Sequence, residues 1–97
     1  MHFGERIREL REEKQLLQRQ LAASLEIDTP MYSKIERGER KAKREQVELL
    51  ADLLKTERKP LLTLWLAEQI LELVASDELA LDAVQIAERQ LKELNKK

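Results

Sequence analysis

QRQLAASLEIDTPMYSKIERG, residues Gln18–Gly38, reads as two short helices around a tight turn. Leu21, Ala22 and Leu25 fall at i, i+1 and i+4, one apolar stripe of a helix. Ile27 stands alone between Glu26 and Asp28, where a turning chain can plug a core. Helical spacing restarts with Tyr32 and Ile35 after Thr29 and Pro30, and Gly38 supplies a residue suited to a left-handed C-cap. Pro30 disfavours the α region for Thr29, which predicts Thr29 as the N-cap and Pro30 as the first helical residue.

Outward from this segment the chain continues as helix. Helix 1 is predicted from Phe3 to Leu16 or Leu17, with Phe3, Ile7, Leu10 and the stem of Lys14 facing inward. Helix 4 is predicted from Lys43 or Arg44, carrying Val47, Leu50, Ala51 and Leu54 as one buried stripe. Thr56–Lys59 is a polar break, Pro60 suits a first helical turn, and helix 5 follows from Leu61 to about Ala75. Ser76 or Asp77 can cap a sixth helix that ends near Asn95.

Two helices of about two turns each, three or four residues apart, have the dimensions of a helix-turn-helix, whose second helix enters the DNA major groove. Ile7, Leu10, Arg11, Gln18, Leu21, Ala22, Ile27, Ser33, Ile35, Glu36, Gly38 and Val47 to Leu54 together resemble the Cro/phage-repressor helix-turn-helix family, over about Phe3 to Leu54. The resemblance implies an all-α, five-helix repressor-like DNA-binding domain; beyond it stands an added C-terminal helix, whose apolar surface reads as forming a dimerisation hairpin. Residues 1–58 would form the DNA-binding domain and 59–97 the dimerisation segment. Two positions depart from the family pattern. Glu26 stands where the family has Gly, at a cost of roughly 1 kcal/mol in a left-handed turn, and Leu17 stands where a small polar cap is usual.

Composition bounds the remaining possibilities. Of 97 residues 42% are hydrophobic and 3% aromatic, so the core must be aliphatic. Two Gly and two Pro are too few for the turns of an all-β protein. The absence of Cys excludes disulfides and thiolate metal sites. His2, the sole histidine, cannot assemble a metal site or a nucleophile triad, and no Gly-rich phosphate loop exists. The reading is therefore a non-enzyme without cofactor or metal. No signal-peptide pattern or apolar run of about 20 residues occurs, which points to a cytoplasmic protein without membrane contact.

A net charge of −1 becomes informative once the charges are placed. Residues 1–60 hold 14 Lys/Arg against 12 Asp/Glu, whereas 61–97 hold 4 against 7. Within Lys34–Arg44 six bases face two acids, and phosphate affinity follows such a local cluster rather than the total. Lys41, Lys43 and Arg44 are candidates for the phosphate backbone, Arg44 also for a minor groove. By resemblance, Thr29, Pro30, Ser33 and Lys34 point into the major groove, with Arg37 assisting. Lys34 can donate to guanine O6 and N7, and Pro30 can touch a thymine methyl. The resemblance also assigns Gln18 a phosphate contact and pairs Arg11 with Glu36.

Helix 5 is apolar around nearly its whole circumference, and helix 6 adds a stripe of Leu79, Ala83, Val84, Ala87 and Leu91. One hairpin cannot cover that surface, so a second copy is expected to, through Leu62, Trp65, Leu66, Leu73, Val84 and Leu91. The expectation is a homodimeric, sequence-specific transcription regulator, a repressor or autoregulator, on a pseudo-palindromic operator of double-stranded DNA. The alternative is an antitoxin-like or adaptor protein whose C-terminal helices bind another protein.

Overall fold

The computed structural model describes residues 2–96, and among these the fold is wholly helical. The order is α1 (Phe3–Glu13), α2 (Gln18–Ser24), α3 (Thr29–Glu36), α4 (Arg44–Leu53), α5 (Arg58–Val74) and α6 (Ala80–Leu94). One aliphatic core joins the first five helices. Phe3, Ile7 and Leu10 of α1 meet Leu21 and Ala22 of α2, Tyr32 and Ile35 of α3, Val47, Leu50 and Ala51 of α4, and Leu61 of α5. Val47, Leu50, Ala51 and Leu54 are completely buried, at about 1.5–3 kcal/mol for a Leu or Val removed from water. Ile27 packs against this core from the turn, as its isolation between acids suggested.

The corners between these helices share one device. α1 to α4 each end with a residue at positive φ: Gln15 (57°), Glu26 (59°), Gly38 (77°) and Lys55 (54°). At each corner the two amides that follow the C-cap reach back in the crossed pattern of a Schellman motif. Glu26 N donates to Ala23 O at 3.1 Å and Ile27 N to Ala22 O at 3.0 Å. The turn thus closes fully with Glu26 in the left-handed region. The same geometry corrects helix 1, which stops at Glu13 because Gln15 turns left-handed, leaving Leu16 half-buried and both Lys14 and Leu17 exposed.

Helix starts differ from expectation where a carboxylate or carboxamide intervenes. Asp28, not Thr29, caps α3: its Oδ1 accepts from Met31 N at 2.7 Å, so Thr29 and Pro30 are the first two helical residues. A carboxylate outranks a threonine hydroxyl at this position and also answers the helix dipole. Leu17 does precede α2, and its amide donates to Gln20 Oε1 at 2.7 Å, half of a capping box without a hydroxyl. α5 begins at Arg58, three residues early, and Arg58 bonds Asp52 of α4 at 2.6 and 3.0 Å. The division expected between 58 and 59 therefore falls inside the first turn of α5. α6 begins only at Ala80, because Asp77 Oδ1 accepts the Leu79 amide at 2.8 Å in an Asx turn rather than capping a helix.

The distal segment diverges most from the pattern. Leu62 and Trp65, expected at a surface shared with a second copy, pack against the chain's own core. α6 contributes no buried residue, so α5 and α6 do not enclose a seam of their own. Leu66, Ile70, Leu71 and Leu73 of α5, and Val84, Ile86, Leu91 and Leu94 of α6, stay exposed.

Candidate nucleic-acid interface

α3 presents two faces. Tyr32, Ile35 and Glu36 are buried, while Thr29, Pro30, Lys34 and Arg37 are exposed and Ser33 half-exposed on the opposite side. The spacing i, i+1, i+4, i+5, i+8 puts these five on one outward stripe. Among the described residues Lys34, exposed on that stripe, makes no side-chain hydrogen bond or ion pair. Arg37 does: it donates to Ser33 Oγ at 2.5 Å and to both Glu39 oxygens at 2.7 and 3.5 Å. Glu39 raises the Arg37 pKa above its ordinary value and is itself lowered by the same bond. Two residues of the stripe are thus tied to each other and to an acid, a coupling that single-residue reading overlooked.

The inner face of α3 is fixed by an ion pair. Arg11 Nε and Nη2 grip Glu36 at 2.7 and 3.1 Å, and Arg11 Nη1 bonds Leu16 O at 2.9 Å. The Glu36 side chain is only 2% exposed. Burial alone would raise its carboxyl pKa, yet hydrogen bonds from Arg11 and Gln18 hold it below the ordinary carboxylate range. Burial, with the adjacent Glu36 charge, pushes the Tyr32 hydroxyl far above its usual pKa; among the described residues that buried hydroxyl has no hydrogen-bond partner. One cluster so binds α1, the first corner and α3.

Gln18, at the start of α2, gives its amide to Glu36 Oε1 at 3.0 Å. Its side chain therefore braces α3, and the position lies half-exposed at the lip of an open cleft of about 850 Å³ with Arg8, Ser33 and Arg37. The cleft is lined by acidic and basic side chains together, unlike the pockets with a few placed polar groups that hold small ligands.

Lys41, Lys43 and Arg44 are exposed in and after the loop that joins α3 to α4. Lys41 Nζ donates to Gln69 Oε1 at 3.3 Å, and the Lys43 amide donates to Gln46 Oε1 at 2.8 Å. The Arg44 guanidinium lies 6.0 Å from the Trp65 ring centroid, and Trp65 Nε1 donates to Ala42 O at 2.8 Å.

Gly4 was absent from the sequence reading. A Cβ there would stand 2.3 Å from Glu36 O and 2.8 Å from Ile35 O, so α1 crosses the end of α3 at backbone contact. A glycine inside a helical pattern is the signal that could have found it, since such a residue usually has a packing reason.

No curated protein and no solved structure matches the chain. A family model described as a helix-turn-helix domain matches residues 2–65. That span contains all five helix starts of the core, the outward stripe of α3 and the cationic loop, and ends on Trp65. With α2 and α3 packed around the left-handed turn at Glu26, the chain belongs to the helix-turn-helix domain family, of the Cro/C1-like kind.

Proposed function

We propose that the protein is a homodimeric transcription regulator, a repressor or autoregulator of the cytoplasm. It sets α3 of each protomer in a major groove of a pseudo-palindromic operator, with half-sites one helical turn, ~34 Å, apart. The observation that carries this reading is the outward stripe of α3, exposed at Thr29, Pro30, Lys34 and Arg37 and followed at once by Lys41, Lys43 and Arg44. Lys34 and Thr29 read base edges and Pro30 makes an apolar contact. Ser33 faces the groove beside them with Arg37 assisting, while Gln18 and the loop cations engage phosphates, which fix the angle of the helix.

Self-association is supported by the apolar residues that α5 and α6 leave in water. Leu73 is 84% exposed, Leu91 57%, Leu66 49% and Val84 38%. Large apolar side chains left in water in such number favour a contact with another surface. Leu66, Leu73, Val84 and Leu91 form the self-contact, without Leu62 and Trp65.

Binding-site selection from random DNA, followed by anisotropy titration across salt, tests the DNA reading. The expected result is an enriched palindrome and an affinity that falls steeply as salt rises. Salt-insensitive binding, or none, removes it. Light scattering at micromolar concentration tests the dimer, and a monomer would hand the α5–α6 surface to a different polypeptide.

A further inference from the structure

The loop from Gly38 to Lys43 is held from α5 by contacts of three kinds. Trp65 Nε1 donates to the Ala42 carbonyl at 2.8 Å. One turn further along α5, Gln69 Oε1 accepts from Lys41 Nζ at 3.3 Å, and Gln69 Nε2 returns toward Trp65 O at 3.5 Å. Arg44, the first residue of α4, places its guanidinium 6.0 Å from the Trp65 ring centroid. Ala42 itself is 1% exposed, so the end of this short loop is sunk into the fold between two exposed lysines, Lys41 and Lys43. The crevice left between loop and α5 measures about 40 Å³, too little for a ligand.

Ring packing alone would be satisfied by any aromatic residue at this position. The indole N–H adds a directed bond to the loop backbone, and a loop lacking it would sample many courses. We propose that Trp65 is a positioning residue for DNA binding. By pinning Ala42 and seating Arg44, it presents Lys41, Lys43 and Arg44 to the phosphate backbone as one preset array. Ordering the loop before encounter removes a conformational cost that binding would otherwise carry. The proposal rests on the DNA-binding reading above, and it gives α5 a role that composition had assigned to a second copy.

The test compares the wild type with Trp65→Phe, which keeps a ring but lacks the N–H, and with Gln69→Ala at a half-exposed site. Each is titrated against a random duplex by anisotropy between about 50 and 200 mM salt, and its urea midpoint is measured. Trp65→Phe is expected to bind roughly five- to tenfold more weakly, with the salt slope shallower by about one, and with a urea midpoint lowered by the bond lost at the buried Ala42 carbonyl. Gln69→Ala weakens binding in the same direction by about two- to threefold. A residue that merely supports the core would lower the midpoint and leave the slope alone. If wild type binds while Trp65→Phe binds as well with an unchanged salt slope, the proposal is overturned whatever Gln69→Ala does; should Trp65→Phe not fold, Gln69→Ala binding as well as wild type overturns it. Wild type that binds no duplex at low salt overturns the DNA reading and this one with it, so the two failures are distinguished by which protein fails.

Discussion

Replacing Glu26 with glycine should stabilise the protein. Glu26 is exposed, sits at φ 59°, and closes the turn between α2 and α3 through backbone bonds that any residue could make. A non-glycine residue in the left-handed region costs about 1–2 kcal/mol. Glycine offsets part of the gain, because its freer unfolded chain loses about 0.5–1 kcal/mol more on folding. The net expectation is about 0.5–1 kcal/mol, which for a domain of this size raises Tm by roughly 2–8 °C. Thermal and urea unfolding of Glu26→Gly measure it, with the urea slope unchanged. Glu26→Ala is the control: it removes the same charge without relieving the backbone and should lie close to wild type. Gln15→Gly and Lys55→Gly extend the series and should add to Glu26→Gly, since each corner bonds its own helix. Gly38→Ala should do the reverse, losing a net of about 0.5–1 kcal/mol by backbone strain less the entropy term and with no clash, because a Cβ there meets no atom within 4 Å. A Glu26→Gly protein no more stable than Glu26→Ala would refute the strain argument.

Gly4→Ala should destabilise by about 1–3 kcal/mol in urea, since its methyl must push α1 away from the Glu36 carbonyl; a neutral outcome would mean that the two helices part freely. Glu36 links stability to pH with a definite sign: its pKa lies below the ordinary value of 4.5, so its stabilisation is complete above that value and lost as pH falls through the folded pKa. Glu36→Gln should flatten this acid limb in a urea series across pH, and at neutral pH cost on the order of 3 kcal/mol by leaving Arg11 unpaired. Lys34→Ala should change the sequence selected from random DNA, whereas Lys41→Ala should weaken all duplexes alike and reduce the salt slope by about one. Identical effects of the two substitutions on every sequence would remove Lys34 from base reading.

Local patterns carried the helical reading, because apolar spacing is a property of neighbours along the chain. Leu21, Ala22 and Leu25, then Tyr32 and Ile35, placed α2 and α3, and Val47, Leu50, Ala51 and Leu54 placed α4 to within a residue or two. The outward stripe from Thr29 to Arg37 follows from the same period, since the residues opposite a buried face must point away from it. Ends were less legible. Gln15 and Lys55 turn left-handed without being glycine, so no residue marks the spot, and Asp28 displaced Thr29 as cap through a preference of acceptor chemistry.

Which partner each side chain takes was decided in three dimensions. Trp65 and Leu66 are adjacent and both apolar, and nothing in their order says that one turns to Ala42 while the other meets water. Arg37 counts as a free cation along the chain, yet a turn at Gly38 swings Glu39 back onto it. Gly4 needs the crossing of α1 over the end of α3 before its missing side chain has a meaning. Periodicity determined how much apolar surface each helix carries. The directions of the helix axes determined what that surface touches, because contacts between residues tens of positions apart depend on crossing geometry rather than on spacing.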